Sequence, residues 1–339
     1  MNMQTFYVGT YTNLDSKGIY KYVLHQDGSL ENLGLVAETS HPSYLALSKN
    51  GNSLVAVNEN DPGTVTSFKI KKDTLIKQNQ ASSGGVHPCF VMVSEQNEVL
   101  VANYSSGSVG LLQLKNDGAL SDLKYREQHT GKGITDRQEA PHAHSVYMLP
   151  ESDHEIVSVD LGSNQLWFSK IQDEKLVITD TLAMASGAGP RHLAFHPEKN
   201  WIYVLNELDN TISLVKKNGK DYEVGQSFSM LPDGYNEFSK AADIHLSPDG
   251  NFLYASNRGH DSIVIYRISE DGNLKRIGFE PTRGNEPRNF ALSPDGTYLI
   301  VANQNSDNLV VFQRNEITGK LSFMSDIQAP TPVCVLFEH

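Results

Sequence analysis

The feature that most constrains the fold is an internal repeat that recurs along almost the whole chain. Each copy contains a short apolar strand, a turn, a second apolar strand ending in Asn or Asp, a polar loop and a third strand. Self-similarity at a period of about 20 to 50 residues is the signature of solenoids, propellers and other repeat architectures. The six copies begin at His41, His87, His142, Gly189, Ala241 and Glu286.

The spacing within and between the copies is nearly constant. The anchor position of a copy is its first proline or the residue in its place. Anchors recur every 45 to 55 residues, and a seventh copy starts at Pro332. The residue that ends the second strand follows its anchor by 15 to 17 positions. The anchors are Pro42, Pro88, Ala143, Pro190, Ala241, Pro287 and Pro332, and the strand-ending residues are Asn58, Asn103, Asp160, Asn206, Asn257 and Asn303.

The repeated elements are predicted to be strands, because they are short, rich in Val, Ile, Leu, Tyr and Phe, and bounded by turn sequences. A second turn in several copies, such as Asp27-Gly28, Asp117-Gly118 or Asp271-Gly272, predicts a fourth strand directly after it. Four antiparallel strands repeated at about 48 residues describe a β-propeller. A chain of 339 residues then has room for seven blades.

The two ends of the chain hold complementary parts of one blade. After Pro332 only a single strand remains, whereas the N-terminal segment supplies later strands of a blade with no first strand. We therefore predict a single all-β domain over residues 1–339, with a split blade built from residues 1–40 and 331–339. Such a closure leaves no open sheet edge, and two stacked β-sandwiches would predict neither the regular interval nor the incomplete ends.

Composition argues against several classes of protein. The chain has 40 Asp and Glu against 28 Lys and Arg, a formal net charge of −12, which disfavours a nucleic-acid partner. No window approaches the roughly 20 apolar residues of a membrane helix, and the N-terminus lacks a signal-peptide pattern. We expect a cytoplasmic protein, monomer or weak dimer, with no membrane partner. Cys89 and Cys334 lack a disulfide or metal-site spacing and are expected to be small buried residues.

The residues that follow the two repeated positions predict one functional site. In a propeller the innermost strand starts on one face of the ring, and the loop after the second strand returns to that face, so both positions surround the same mouth of the central channel. Ionisable residues concentrate there in the third to sixth copies. They could bind an anionic substrate and move a proton, or form salt bridges across the channel. These residues are His144, Arg191, Glu207, Arg258 and Arg288.

Other histidines near the mouth are weaker candidates for site residues. His142 and His144 form a His-x-His, a spacing also found in metal sites, but no acidic or cysteine partner stands at a fixed spacing. We predict no metal and no cofactor, and assign His142 as a substrate-binding residue. His192 and His245 are expected to pack near blade cores with satisfied hydrogen bonds.

Two insertions lengthen the repeat. Residues 128–141 and 229–240 both lie between a fourth strand and the next innermost strand, and we expect them to form walls of the same mouth. The first insertion contains Lys132 and Arg137. Solvated loop charges are the favoured interpretation of both, although they could also add positive charge to the site.

The motifs resemble those of the seven-bladed propeller lactonase family, which includes bacterial propeller-type 6-phosphogluconolactonases and fungal 3-carboxy-cis,cis-muconate lactonizing enzymes. The similarity covers YVGTYT near the N-terminus, HPSYLALS, PHAHSV, GPRHLAFHP, NELDNT and ASNRGHDSI. The resemblance implies a lactonase active site in which four residues take part. They are His144 of PHAHSV, Arg191 of GPRH, Glu207 of NELDN and Arg258 of SNRGHD.

The activity implied by the resemblance is hydrolysis of 6-phospho-D-glucono-1,5-lactone to 6-phosphogluconate, a step of the pentose phosphate pathway. Glu207 or His144 would deprotonate water, Arg191 and Arg258 would hold the oxyanion or the phosphate, and Arg288 would be a further phosphate contact. No metal is required by this scheme. The alternatives are cycloisomerisation of a carboxymuconate, another sugar lactonase such as a calcium-dependent one, and a non-catalytic propeller scaffold that binds a protein partner.

Overall fold

A computed structural model describes residues 3–72 and 74–338 and contains seven antiparallel sheets of four strands each. No helix occurs among these described residues. The predicted all-β class is therefore confirmed. The strands are β1 (Gln4–Thr10), β2 (Gly18–Leu24), β3 (Leu30–Glu38), β4 (Leu45–Leu47), β5 (Ser53–Asn58), β6 (Thr64–Lys71), β7 (Thr74–Ser82), β8 (Pro88–Val93), β9 (Glu98–Asn103), β10 (Ser108–Gln113), β11 (Tyr125–Gln128), β12 (Ala143–Met148), β13 (Glu155–Asp160), β14 (Gln165–Gln172), β15 (Lys175–Ala183), β16 (Pro190–Phe195), β17 (Trp201–Asn206), β18 (Thr211–Asn218), β19 (Asp221–Ser229), β20 (Lys240–Leu246), β21 (Phe252–Arg258), β22 (Ser262–Ile268), β23 (Leu274–Pro281), β24 (Pro287–Leu292), β25 (Tyr298–Asn303), β26 (Asn308–Arg314), β27 (Leu321–Gln328) and β28 (Pro332–Phe337).

The seven sheets form a closed ring around a central channel. The strands β4, β8, β12, β16, β20, β24 and β28 are innermost, and each contacts the innermost strand of the next blade. The last blade has the strand order β28-β1-β2-β3, with β28 antiparallel to β1, so that Val8 lies opposite Val335. The predicted split blade that closes the ring is confirmed.

Burial decreases from the second strand of a blade outward. All six residues of β5 are buried, because this strand is covered on both faces by neighbouring blades. The fourth strand β7 of the same blade is largely exposed on the outside of the ring. Each apolar core lies between two blades, as where Tyr203 and Leu205 of one sheet pack with Leu253 and Ala255 of the next. Strands buried on both faces explain the continuous apolar runs of the repeat.

In four blades the Asn that ends the second strand ties this strand to the segment that enters the blade. Its side-chain amide donates to a backbone carbonyl at 2.6 to 3.0 Å, as Asn58 does to Ser40 and Asn303 to Thr282. Asn206 instead donates to two hydroxyls of its own blade. The amides of Asn58 and Asn303 lie in fully buried residues, where a polar group without a partner would be costly. These Asn side chains therefore cap the ends of their strands.

One predicted strand is displaced. The fourth strand expected directly after Asp117-Gly118 instead begins at Tyr125, and Leu120 forms only an isolated bridge with Leu114. The cause is Asn79 of the preceding blade, whose side chain accepts from the backbone N–H of Leu120 at 2.7 Å and donates to its carbonyl at 2.9 Å. These bonds occupy the backbone groups that a ladder would use.

Among the residues placed by the structure, no helix is long and apolar enough to cross a membrane.

Candidate active site

A β-bulge recurs in the innermost strands directly after the anchor position. In β8, β12, β16 and β24 the pairing with the second strand skips one residue. A bulge leaves the extra residue unpaired and changes the direction of its side chain. The bulge therefore explains why the residue after the anchor reaches the channel in one blade after another. The skipped residues are Cys89, His144, Arg191 and Arg288.

Glu207 is the centre of the mouth and binds two buried arginines through one oxygen. Its Oε2 lies 2.9 Å from Nε of Arg191 and 2.9 Å from Nη2 of Arg258. Each arginine also donates to a backbone carbonyl of β20, Arg191 to Ala242 and Arg258 to Ala241. The three side chains are each only 3% exposed. Two adjacent blades thus converge on one carboxylate through ion pairs, the arrangement that the salt-bridge alternative predicts.

Glu207 and Arg258 both carry their charge at neutral pH. Burial opposes ionisation of Glu207, but the charges of Arg258 and Arg191 outweigh it and lower the pKa of this carboxyl to about 2. Burial lowers the pKa of Arg258 to about 10, against the opposing effect of Glu207. A carboxylate with such a low pKa binds a proton weakly, so the structure favours a positioning role for Glu207 over that of a base.

His144 lies beside this cluster as a neutral imidazole. Its Nδ1 is 3.7 Å from the Sγ of Cys89, and its ring meets the ring of Tyr104 edge to face at 5.5 Å. Burial, aided by the charge of Arg191, holds the pKa of His144 well below its usual value. Burial likewise raises the pKa of the Cys89 thiol, so Cys89 stays protonated. At neutral pH the imidazole is therefore uncharged, and one of its ring nitrogens is a hydrogen-bond acceptor.

Arg288 belongs to a second group at the mouth, next to the split blade. Its guanidinium lies 5.4 Å from the ring centre of Tyr11. The Tyr11 hydroxyl donates to Glu59 at 2.8 Å, and Ser43 donates to the same carboxylate oxygen. Although burial acts in the opposite direction, Tyr11 and Glu59 raise the pKa of Arg288. Arg288 therefore remains a cation on this side of the channel.

His142 lies at the edge of the site, and its ring nitrogens have different partners from those of His144. Its ring stacks on Tyr104 at 4.5 Å, its Nδ1 is 3.1 Å from the Tyr104 carbonyl oxygen and its Nε2 is 3.3 Å from Glu139. The two histidines thus contact different sides of one tyrosine. In the described part of the chain, no three His, Cys, Asp or Glu side chains are placed to hold a metal ion.

One sequence expectation about the charges of the first insertion is corrected. Arg137 is not merely a solvated loop charge, because its Nη2 lies 3.2 Å from Glu207 Oε1 and donates to the Tyr104 hydroxyl at 2.9 Å. The long interval before the third copy was the only sequence signal for it. Lys132, on the same loop, is exposed as expected.

His192 and His245 pack beside core side chains and have hydrogen-bond partners, as expected from the sequence. The ring of His192 lies 5.6 Å from that of Phe90, and the ring of His245 lies 4.8 Å from that of Phe290. Both bind Asp243, His192 Nδ1 at 2.8 Å from Oδ1 and His245 Nε2 at 3.0 Å from Oδ2. His192 also contacts the guanidinium of Arg191, 3.2 Å from its Nε2. Burial and the charge of Arg191 lower the pKa of His192 to about 4. The register of β20 jumps from Ala241 to Ile244, so the longer bulge turns Asp243 toward these histidines.

Comparison with known proteins relates the whole chain to one family. The family model "Lactonase, 7-bladed beta-propeller" matches residues 5–337. The chain is 38% identical to the 6-phosphogluconolactonase of Bacillus subtilis over 98% of both chains. It superposes on the periplasmic gluconolactonase PpgL of Pseudomonas aeruginosa with a TM-score of 0.95 at 31% identity, covering 100% of this chain and 99% of that one. A crystal structure of a Lactobacillus plantarum protein matches with a TM-score of 0.96 at 33% identity over 100% of both chains.

Proposed function

Because the chain belongs to the seven-bladed β-propeller lactonase family, we propose that it hydrolyses 6-phospho-D-glucono-1,5-lactone to 6-phosphogluconate. Family membership makes the protein a lactone-hydrolysing enzyme. The phosphorylated substrate is supported by the name of the Bacillus relative, which aligns over nearly the full length of both proteins. The reaction would then belong to the pentose phosphate pathway, with a cytoplasmic location.

The observation that carries this proposal is the Arg191–Glu207–Arg258 cluster beside the neutral His144. The reaction requires a base for water and positive charge where the carbonyl oxygen becomes negative. Two guanidiniums fixed by one carboxylate supply a rigid positive surface, since each is also bonded to the β20 backbone. A rigid donor set stabilises developing charge without reorganisation during the reaction. A propeller that served only as a scaffold would have no need for this arrangement.

In the proposed reaction His144 acts as the general base. It removes a proton from water as the water oxygen attacks the lactone carbonyl carbon, and the carbonyl oxygen becomes an oxyanion beside Arg191 and Arg258. The bond between that carbon and the ring oxygen then breaks, and His144 returns the proton to the leaving oxygen, which becomes the sugar hydroxyl. The new carboxylic acid loses its proton to solvent.

Glu207 holds the two arginines in this scheme and does not exchange protons. Both of its oxygens accept from guanidiniums, and its pKa of about 2 leaves it little basicity. His142 and Arg288 are proposed to bind the substrate from the two sides of the mouth. His142 would do so next to Tyr104, and Arg288 next to Tyr11.

A second candidate substrate is the unphosphorylated glucono-1,5-lactone. It is supported by the structural similarity to the Pseudomonas protein, which is described as a periplasmic gluconolactonase. The catalytic steps would be the same for both lactones, because they differ only at the phosphate of C6. The two activities differ in whether a phosphate-binding group is needed.

The test is hydrolysis of both lactones by the purified protein, with the spontaneous rate subtracted. We expect faster turnover of the phosphorylated lactone by the wild type and a loss of about 100-fold or more in kcat for His144→Gln. Lys132→Gln is the control, because Lys132 is exposed on the loop beside the mouth and has no step in the mechanism. Hydrolysis no faster than the spontaneous reaction would refute the proposed function.

A further inference from the structure

The guanidinium of Arg137 differs from those of Arg191 and Arg258 in its exposure. Half of the Arg137 side chain is open to solvent, whereas the other two are 3% exposed. Its contacts to Tyr104 and Glu207 both use Nη2. A guanidinium has five N–H donors in a planar fork, so Arg137 can bind a further anion while keeping both contacts.

The loop around Arg137 is held firmly although the side chain is exposed. The next residue, Gln138, is fully buried, and its amide donates at 2.8 Å to a backbone carbonyl just after β13. Asp160 fixes both ends of the loop, through His129 Nδ1 at 2.8 Å and the backbone N–H of His142 at 2.9 Å. The arginine therefore stands on a preorganised support, which lowers the entropic cost of binding a ligand.

The charges at the mouth leave a positive excess. Lys240 and Glu286 lie 2.8 Å apart and offset one another, and the exposed carboxylate of Glu139 beside His142 adds one negative charge. The remaining mouth charges are thus four cations and three anions, in a protein whose formal net charge is −12. A phosphate monoester carries about −1.5 to −2 at neutral pH and is attracted to this local excess of cations. The charges are those of Arg137, Arg191, Arg258 and Arg288 against Glu59, Glu139 and Glu207.

We propose that Arg137 is the phosphate-binding residue of the substrate site and makes the enzyme selective for sugar lactones that carry a phosphate monoester. The inference rests on the proposed function and deepens it by assigning the selectivity to one side chain. The two buried arginines are occupied by Glu207 and the β20 backbone at the bottom of the mouth. Arg137 binds the same carboxylate from the solvent side, at the place where the end of an elongated substrate would emerge. An arginine fork matches phosphate oxygens in two parallel hydrogen bonds.

The experiment compares Arg137→Gln with Lys132→Gln, which removes the same charge from an exposed site on the same loop. KM and kcat are measured for 6-phosphogluconolactone and for glucono-1,5-lactone. Loss of a charged hydrogen-bonding partner predicts a rise in KM of about 10- to 100-fold for the phosphorylated lactone. We expect kcat/KM for the unphosphorylated lactone to change by less than about 2-fold, Lys132→Gln to resemble the wild type, and Arg137→Lys to recover part of the loss.

Calorimetric binding of 6-phosphogluconate and of gluconate supplies a readout that does not depend on turnover. The wild type should bind the phosphorylated acid more tightly, and Arg137→Gln should remove this difference. An equal loss on both lactones, no loss on either, or a selective loss in Arg288→Gln alone would overturn the assignment. If the wild type hydrolysed neither lactone, the proposed function would fail, while the calorimetric comparison would still decide whether Arg137 binds phosphate.

Discussion

Glu207→Gln tests whether one buried carboxylate holds the mouth together. The substitution keeps the shape of the side chain but removes the charge that faces Arg191 and Arg258, both of which are buried. The lowering of the Glu207 pKa from 4.5 to about 2 corresponds to about 3 kcal/mol of folding free energy at neutral pH. Removing one partner of a buried ion pair costs a similar amount, about 3 to 5 kcal/mol, because the other charge is left without compensation.

The assay is urea unfolding at pH 7, with Glu59→Gln as the matched control. Glu59 accepts from the hydroxyls of Tyr11 and Ser43, and losing the charge of such a carboxylate should cost only about 1 kcal/mol. We expect Glu207→Gln to lose about 3 kcal/mol and to recover much of it when Arg258→Gln is added. Equal destabilisation by Glu207→Gln and Glu59→Gln, without recovery when Arg258→Gln is added to Glu207→Gln, would refute this account.

The pH dependence of stability is a second test of the Glu207 ion pairs. The folded-state pKa of Glu207 is depressed, so its contribution is fully present above pH 4.5 and is lost as the pH falls through about 2. Wild type and Glu207→Gln should therefore converge in stability as the pH falls from 4.5 toward 2. If the difference in unfolding free energy between the two proteins stayed constant over this range, the ionised carboxylate would not be the cause of the lost stability.

The other predictions concern the base, the metal and the ring closure. Activity of the wild type should stay nearly constant from pH 7 to pH 6, because the pKa of His144 lies well below its usual value. Initial rates corrected for spontaneous hydrolysis test this prediction, and a fall in rate by half near pH 6.5 would contradict it. Excess chelator should leave the lactonase rate unchanged, and a rate restored only by added calcium would refute the metal-free scheme. A chain truncated after Pro330 should lose its cooperative thermal transition in circular dichroism, because Val333, Cys334 and Val335 of β28 are buried. A transition like that of the full chain would contradict the role of β28 in closing the ring. Removal of Met3, which is exposed, is the control.

The fold could be predicted from the sequence because the repeat fixes the strand number and the order of the blades. The anchor and the strand-ending Asn also placed Arg191, Glu207 and Arg258 at one mouth, where the structure joins them directly. Equivalent positions in successive blades share the same backbone geometry. Residues at these positions therefore meet even when the chain separates them by many residues.

The features that the sequence does not predict lie where the chain departs from the regular repeat. Asp243, the shared partner of His192 and His245, is one of them, because a bulge displaces it from the regular register of β20. Arg137 lies on an irregular insertion, where no repeat position relates it to Glu207. Its place depends on the burial of Gln138 and on the bonds of Asp160, which only the folded chain brings together.

The pairing of β1 with β28 has a consequence for the protein while it is being made. Of the strands in the ring, β1 is the first to emerge from the ribosome and its partner β28 is the last. At roughly 5 to 20 residues per second, synthesis of the chain takes tens of seconds, and throughout this time β1 has an unpaired edge. Exposed strand edges pair readily with other chains. The newborn protein is thus most at risk of aggregation before β28 arrives, and the pairing of β28 with β1 is the step that protects it.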